Sequence, residues 1–208
     1  MSQYNQVLQH VEIVNILTYI ISIAFIVFIG VGFKKKKPSL KQMIVIAIFA
    51  AMAFVLSFIK FIAYPQGGGI NLLPFLPIML VSIFYGITEG MTCGLIYGVL
   101  LLITGGHIVG IAEALMDYVL ASVTLGLAGI VGREKRSQIL IGSIIAVFLS
   151  VLANIISGVY FYGMYAPPGM NLWWYSITYN VSSAGVVGVL SIIVIMLLPI
   201  KRLKKHVY

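Results

Sequence analysis

The sequence predicts an all-α integral membrane protein with a core of six transmembrane helices and one extra N-terminal transmembrane helix. Composition is the first reason: 61% of the 208 residues are hydrophobic and only 9% are charged, whereas soluble domains carry about 25% charged residues. The second reason is that apolar runs of roughly 20 residues, long enough to cross the hydrocarbon core of a bilayer, recur along the chain. A soluble enzyme, a disordered tail and a disulfide-stapled secreted module are therefore excluded.

The placement of the basic residues supports this interpretation. Twelve of the thirteen Lys and Arg residues lie in three clusters beside apolar runs: Lys34–Lys37 with Lys41; Arg133, Lys135 and Arg136; and Lys201, Arg202, Lys204 and Lys205. Such clusters mark the cytoplasmic ends of membrane spans. The net charge of +8 therefore indicates membrane orientation, and no nucleic-acid partner is expected. Lys60 is the one basic residue outside these clusters. The single cysteine, Cys93, can form no intrachain disulfide.

Residues 1–40 are expected to form a unit of their own. The apolar run from Val14 to Phe33 is long enough to span a bilayer. The lysines of Lys34–Lys37 and Pro38 follow it directly, which is a stop-transfer pattern. We expect an N-terminal transmembrane helix that starts outside and ends inside.

Residues 41–208 are expected to form the six-helix substrate-binding domain. The predicted spans are 43–64, 72–84, 91–104, 108–131, 139–162 and 173–199. With both ends of this core inside, the basic loop near Arg133 and the basic C-terminal tail are cytoplasmic. The loops near Gly67, Gly105 and Ala166 are then outside, and none of them carries Lys or Arg. The protein is expected in the cell membrane as a multi-pass protein.

Two carboxylates lie within the span 108–131. Glu113 and Asp117 are four residues apart, so they share one helix face near its outer end. A carboxylate within a span costs about 2.5–3.5 kcal/mol on insertion scales, so it marks a functional site by default. Either residue could instead pair with a hydroxyl, an amide or Lys60, and the role of Asp117 stays open.

Aromatic residues are concentrated in the outer halves of the last two spans. The members are Tyr160, Phe161, Tyr162, Tyr165, Trp173, Trp174, Tyr175 and Tyr179. Part of this set is expected to form an interfacial belt. A carboxylate facing Trp and Tyr rings also binds organic cations through cation–π attraction. Asn154 and Asn180 add amides that both donate and accept hydrogen bonds. The residues predict a small, cationic, aromatic or heterocyclic ligand.

The sequence offers no catalytic or cofactor site. It contains no Gly-rich nucleotide-binding loop ending in Lys-Ser/Thr, and a single intramembrane Asp cannot form an aspartyl dyad. No metal-ligand set is evident. An intramembrane enzyme would need paired acids or a metal, and only Glu113 with Asp117 remotely qualifies. We expect a binding protein that is not an enzyme, without cofactor or metal.

A face of small residues lies on the first core helix. Ala47 and Ala51 are four residues apart and leave no side-chain barrier, so another helix can approach closely. From spacing alone, that helix could belong to a partner or to this chain.

The segment from Lys41 to Lys205 resembles the thiamine-specific S component of energy-coupling factor (ECF) transporters. The resemblance rests on the following residues: Ala47–Ala53, Glu113, Asp117-Tyr118, Gly126–Gly129, Ser157-Gly158, Tyr165–Met170, Tyr175-Ser176 and Asn180. It covers about four fifths of the chain. It implies a six-helix protein that captures thiamine from outside. A transmembrane T protein and two ATPases would energise uptake, with Ala47 and Ala51 contacting the T protein.

The resemblance also implies ligand-binding roles. Glu113, Tyr175 and Asn180 match binding residues of the family. Asn154 stands where the family has a histidine, and Tyr162 stands where it has a stacking tryptophan. The aromatic cluster adds Trp174 as a further wall of the site. The N-terminal helix departs from the six-helix pattern, and its role stays open.

One alternative function stays open at this point. A stand-alone carrier for thiamine or a related vitamin would use Glu113 or Asp117 to carry a proton. Neither function requires an ATPase within this chain, so its absence does not decide between them.

Overall fold

A computed structural model describes residues 10–104 and 108–207, and all seven predicted apolar segments contain a helix. The helices are α1 (Val11–Lys35), α2 (Leu40–Phe58), α3 (Phe75–Phe84), α4 (Ile87–Ile103), α5 (Ile111–Gly129), α6 (Arg136–Tyr160), α7 (Leu172–Leu197) and α8 (Ile200–Val207). Five of them, α1, α2, α5, α6 and α7, are long and apolar enough to cross a membrane. The shorter α3 and α4 are also apolar. The all-α fold class is confirmed. The predicted outer-loop residue Gly105 lies outside the described ranges.

The extra helix α1 lies against α4 and α5. Ile29 packs in one cluster with Met91 of α4 and with Val119 and Val123 of α5. Most of its other large apolar side chains are exposed, as expected for a helix that faces lipid. A short link leads to α2, whose first turn is capped by Ser39. The Ser39 hydroxyl oxygen accepts a hydrogen bond from the backbone N–H of Gln42 at 3.2 Å.

The predicted span 43–64 ends earlier than expected. The helix α2 stops at Phe58, and β1 (Lys60–Ala63) pairs antiparallel with β2 (Gly69–Asn71) to form a hairpin. The glycines make this turn possible. Gly69 has a φ of +148° and lies so close to β1 that a Cβ atom there would sit 2.2 Å from the Ile62 carbonyl oxygen.

The helices α3 and α4 form the centre of the bundle. Helix α3 is only ten residues long, about 15 Å at 1.5 Å per residue, so it crosses half of a bilayer. Most of its side chains are buried. Helix α4 packs closely on α5 because it carries glycines at the contact. A Cβ atom on Gly94 or Gly98 would lie 2.2 Å from the carbonyl oxygens of Ser122 and Tyr118.

Two long helices contain a π-helical segment. Residues Leu115–Leu120 of α5 and Val181–Gly185 of α7 form wider turns, with hydrogen bonds five residues apart. Such single wide turns within α-helices are frequent at functional sites. Both segments lie at the end of the bundle that carries the hairpin.

The opposite end of the bundle carries the three basic clusters. The expected C-terminal tail forms the short helix α8, which docks on the loop between α5 and α6. Lys204 Nζ donates to Glu134 Oε1 at 3.0 Å, and this contact holds the pKa of Glu134 below its ordinary value.

Candidate functional site

A cavity of about 500 Å³ opens at the end of the bundle that carries the hairpin. Residues of α2, α4, α5, α6 and α7 line it, together with the hairpin and the N-terminus of α3. Its volume falls within the range of about 300–1,000 Å³ that is typical of small-molecule sites. The short helix α3 begins at the cavity: Pro74 and Phe75, at its N-terminus, are among the lining residues.

Aromatic side chains make up much of the wall. The lining rings are Phe58, Phe75, Tyr97, Tyr118, Tyr162, Tyr175 and Tyr179. Tyr175 and Tyr179 are one helical turn apart, and their ring centroids are separated by 6.1 Å. Flat apolar rings of this kind stack on heterocycles and attract cations at their faces.

Charge in the cavity is sparse. Among the described lining residues, only Asp117 and Lys60 carry charged side chains. Lys60 is exposed on the hairpin, where its Nζ donates to the Gly67 carbonyl oxygen at 2.8 Å. Asp117 lies deeper, in the π-helical segment of α5, and its Oδ1 atom is buried, close to Ser157 and Glu113.

Glu113 does not line the cavity. It is fully buried, at 0% exposure, and its oxygens accept three hydrogen bonds. The Tyr162 hydroxyl donates to Oε1 at 2.6 Å. The backbone amides of Val109 and Gly110 donate to Oε2 at 2.9 and 3.4 Å. Glu113 therefore caps the start of α5 and fixes the ring of Tyr162, which does line the cavity.

A hydrogen-bond network joins α6 to α7 in the cavity wall. Asn180 Nδ2 donates to the Asn154 carbonyl oxygen at 3.2 Å and to the Ser176 carbonyl oxygen at 3.0 Å. The Ser176 hydroxyl donates to the Ile155 carbonyl oxygen at 2.7 Å. Gly158 permits this close contact, because a Cβ atom there would lie 2.2 Å from Ser176 Oγ. These bonds use the amide nitrogen of Asn180.

The hairpin closes over the cavity through Tyr179. The Gly68 amide donates to the Tyr179 hydroxyl oxygen at 3.0 Å, and that hydroxyl donates to the Pro65 carbonyl oxygen. The rings of Tyr64 and Tyr179 meet edge to face at 5.6 Å. Gly68 is required here, because a Cβ atom would overlap the Tyr179 ring. Five residues of the hairpin line the cavity: Lys60, Gly67, Gly68, Gly69 and Asn71.

The structure brings together four of the six residues that the sequence assigns to ligand binding. Asn154, Tyr162, Tyr175 and Asn180 line the cavity. Glu113 lies behind Tyr162. Trp174 is 61% exposed and does not line the cavity, because the residue before Tyr175 on a helix points about 100° away from it.

Among the lining residues that the sequence does not assign to ligand binding are Tyr179, Lys60 and Tyr97. Tyr179 follows Tyr175 by one helical turn, so spacing alone could have placed both on one face. The sequence marks Lys60 only as the basic residue outside the clusters and as a possible partner of the two acids. No sequence signal marked Tyr97, which lies on α4 among apolar residues.

The alanine face of α2 is open. Ala47 and Ala51 are exposed, together with Ile44, Ile48 and Val55. Ala50 and Ala53 are fully buried within the chain's own core. The face of Ala47 and Ala51 therefore does not pack against the described helices of this chain.

No group of three or more His, Cys, Asp or Glu side chains that could hold a metal ion is found within residues 10–104 and 108–207. The polar groups of the cavity are mostly amides, hydroxyls and backbone carbonyls. This donor set suits an organic molecule.

Comparison with known proteins identifies the same part of the chain. The family model described as "Thiamine transporter protein" matches residues 43–207. The chain is 32% identical over 163 residues to the thiamine transporter ThiT of Bacillus subtilis, covering 70% of this chain and 83% of the relative. It is 31% identical over 178 residues to ThiT of Lacticaseibacillus paracasei, covering 74% and 86%.

Solved structures share the fold. A ThiT structure from Listeria monocytogenes matches with a TM-score of 0.69 at 27% identity, covering 80% of this chain and 96% of that one. A structure described as the S component of a bacterial ECF transporter matches with a TM-score of 0.56 at 22% identity and the same coverage, which supports the fold alone. Helix α1 precedes the residues that the family model matches.

Proposed function

The chain belongs to the thiamine transporter protein family, and on this premise we propose that it binds thiamine from outside the cell for uptake. The family consists of multi-pass membrane transporters, not enzymes, so the sequence-based prediction of a non-enzymatic membrane protein is confirmed. Among the subunits of such a transport system, this chain resembles the thiamine-specific S component.

The aromatic cavity carries the proposal. Thiamine joins an aminopyrimidine to a permanently cationic thiazolium ring. Tyr162 and Tyr175 offer ring faces for both heterocycles, and Asn154 and Asn180 lie beside them in the wall. Cation–π attraction reaches about 2 kcal/mol or more where water is excluded. A carboxylate and seven rings around one cavity fit a cationic heterocycle better than an anion or a lipid.

The orientation follows from charge. The basic residues of the loop near Arg133 and of α8 are expected in the cytoplasm. The cavity lies at the opposite end of the bundle and so opens outside. The C-terminus is then cytoplasmic.

We infer that other proteins supply the energy for uptake, in the form of an ECF module with one transmembrane T protein and two ATPases. The exposed Ala47 and Ala51 support this assignment, because their face is free of this chain's own helices and admits close approach by another helix.

Calorimetric titration of the purified protein with thiamine tests the binding function. We expect saturable binding of one thiamine per chain, weakened at least tenfold in Tyr175→Ala, since a stacked ring contributes up to about 1.5 kcal/mol beyond its buried area. Trp174→Ala is the matched control: its ring lies outside the cavity, so the affinity should change less than twofold. Absence of thiamine binding by the parent protein contradicts the proposal.

Co-purification tests the partner assignment. Ala51→Phe should keep thiamine binding but lose both the ATPase subunits and uptake, because the ring holds a partner helix away. Ala24→Phe places the same ring on the exposed face of α1 and is the control that should retain both. Uptake driven by a pH gradient in liposomes that contain this chain alone would instead favour the proton-coupled carrier.

A further inference from the structure

We propose that a second cavity, at the end of the bundle that carries the basic clusters, binds the phosphate-bearing headgroup of an anionic membrane lipid. This basic cavity lies between the loop that joins α5 to α6, the start of α6 and the start of α8. It shares no lining residue with the aromatic cavity described above. The proposal therefore goes beyond the thiamine-binding function and does not depend on it.

Positive charge dominates the basic cavity, whose volume is about 340 Å³. Among its described lining residues, five side chains are cationic and one is acidic. The cations are Arg133, Arg136, Lys201, Arg202 and Lys204, and the acid is Glu134. The Glu134 carboxylate already pairs with Lys204 at 3.0 Å. The wall keeps an excess of four positive charges, and such a concentration of one sign attracts an anion.

Two of these cations are held in place by the fold. Arg133 Nη1 donates to the Phe84 carbonyl oxygen, at the end of α3, at 3.3 Å. Lys204 Nζ donates to the Arg133 carbonyl oxygen as well as to Glu134. Because these long side chains are already ordered, less conformational entropy is lost when they bind a phosphate. A guanidinium carries five N–H donors in a fork that matches phosphate oxygens, so one bond to Phe84 leaves Arg133 further donors.

The start of α6 gives an independent reason for an anion. A helix N-terminus carries partial positive charge, which acidic residues in the first turn normally offset. The first turn of α6 contains no acidic residue, and its first residue is Arg136. The backbone N–H of Lys135 donates to Gln138 Oε1 at 3.1 Å, which satisfies that amide but supplies no negative charge. A phosphate beside this turn would offset both the side-chain charges and the helix dipole.

The surroundings of the basic cavity favour a lipid over a soluble phosphate. Ile139, Pro199 and Ile200 give its wall an apolar part. Leu140 and Leu197 lie close to these residues along the chain and are exposed, on helices long enough to cross a membrane. A lipid seated here has its phosphate among the cations and its acyl chains beside apolar side chains. Basic pockets between helices on the cytoplasmic side of membrane proteins bind anionic headgroups in this way.

A bound headgroup would join α8 to the rest of the bundle. An isolated helix of eight residues is marginal in water, so α8 depends on the surface against which it docks. One phosphate contacted from both sides of the basic cavity would link Arg133 and Arg136 to Lys201 and Arg202. We expect the lipid to hold α8 against the loop between α5 and α6.

Native mass spectrometry of the purified full-length protein tests the site. The protein is released from detergent micelles that contain either phosphatidylglycerol, which is anionic, or phosphatidylcholine, which carries a phosphate but no net charge. The parent should retain one phosphatidylglycerol per chain in a saturable manner, and little phosphatidylcholine. In Lys201→Gln/Arg202→Gln, half-saturation should require roughly 30-fold more phosphatidylglycerol, at about fivefold for each cation removed.

A matched variant separates the site from general attraction by positive charge. Lys34→Gln/Lys35→Gln also removes two exposed lysines, at the end of α1 and outside the basic cavity, so retention should stay within twofold of the parent. Lys201 and Arg202 are exposed, and a gel-filtration profile equal to that of the parent checks the fold. Arg136→Gln is the second variant and should weaken retention about fivefold.

Three outcomes overturn the proposal. Equal weakening in the two double variants would mean that phosphatidylglycerol follows the total charge of the protein and not this cavity. Equal retention of the two lipids by the parent would remove the preference for an anion. Displacement of phosphatidylglycerol by an equal concentration of inorganic phosphate would assign the basic cavity to a soluble anion.

Discussion

Replacing Tyr179 by Phe should accelerate the release of thiamine. The change keeps the ring, which meets Tyr64 at 5.6 Å and Tyr175 at 6.1 Å. It removes the hydroxyl that accepts from the Gly68 amide and donates to the Pro65 carbonyl oxygen. These two hydrogen bonds join α7 to the hairpin over the cavity, beside the longer contact between Tyr64 and Ser182.

The magnitude follows from those two bonds. A hydrogen bond contributes about 0.5–1.5 kcal/mol net, and both bonds are partly accessible to water, so their sum lies near the lower end, at about 1–2 kcal/mol. The hairpin should therefore open more often, and thiamine dissociation should be roughly 5- to 30-fold faster. The association rate should change little, because the cavity itself is intact.

The assay is the release of radiolabelled thiamine after dilution of the purified complex into excess unlabelled thiamine. Tyr64→Phe is the matched control. Among the described residues, its hydroxyl makes a single long contact, 3.4 Å from the Ser182 carbonyl oxygen, so its loss should leave the rate within twofold. A Tyr179→Phe rate equal to that of the control would refute the view that Tyr179 holds the hairpin closed.

Three further predictions concern the wall, the orientation and α1. Gly158→Ala should weaken thiamine binding roughly tenfold, because its methyl group displaces the Ser176 hydroxyl and the amide of Asn180; calorimetry with unchanged binding would contradict this packing. Membrane-impermeant thiol reagents should label a cysteine at Gln66 but not one at Gln138, against a low background since Cys93 is buried; the reverse pattern would invert the orientation. Deleting residues 1–38 should leave thiamine affinity within threefold by the same titration, because α1 contributes no residue to the cavity; loss of binding would make α1 part of the site.

Much of the fold is predictable from sequence because the bilayer imposes a simple rule on composition. Every predicted apolar run contains a helix, because backbone N–H and C=O groups without hydrogen bonds cannot face lipid. The end of α2 was missed for a physical reason. The residues Lys60–Ala63 are apolar apart from Lys60 and continue the hydropathy of the helix. Only the pairing with Gly69–Asn71, a tertiary contact, turns them into a strand.

The site was predictable in its chemistry and less so in its geometry. Residue types and positions indicated an aromatic, acid-containing cavity, and Asn154, Tyr162, Tyr175 and Asn180 do line one. That Asp117 lines the cavity while Glu113 lies behind Tyr162 was not predictable, because regular helical spacing places both on one face. The π-helical segment that begins between them has no sequence signature in this chain.

The short helix α3 has a consequence for how ligand preference can change. Its ten residues span only about half of the membrane thickness, and both its N-terminus and the hairpin that precedes it line the cavity. The floor and the roof of the cavity thus belong to one contiguous stretch, residues 59–75, while the long helices supply the sides. Insertions or deletions within that stretch would change the size of the cavity and leave the packing of the long helices intact. Evolution of a new cargo could therefore proceed by exchanging a single short segment.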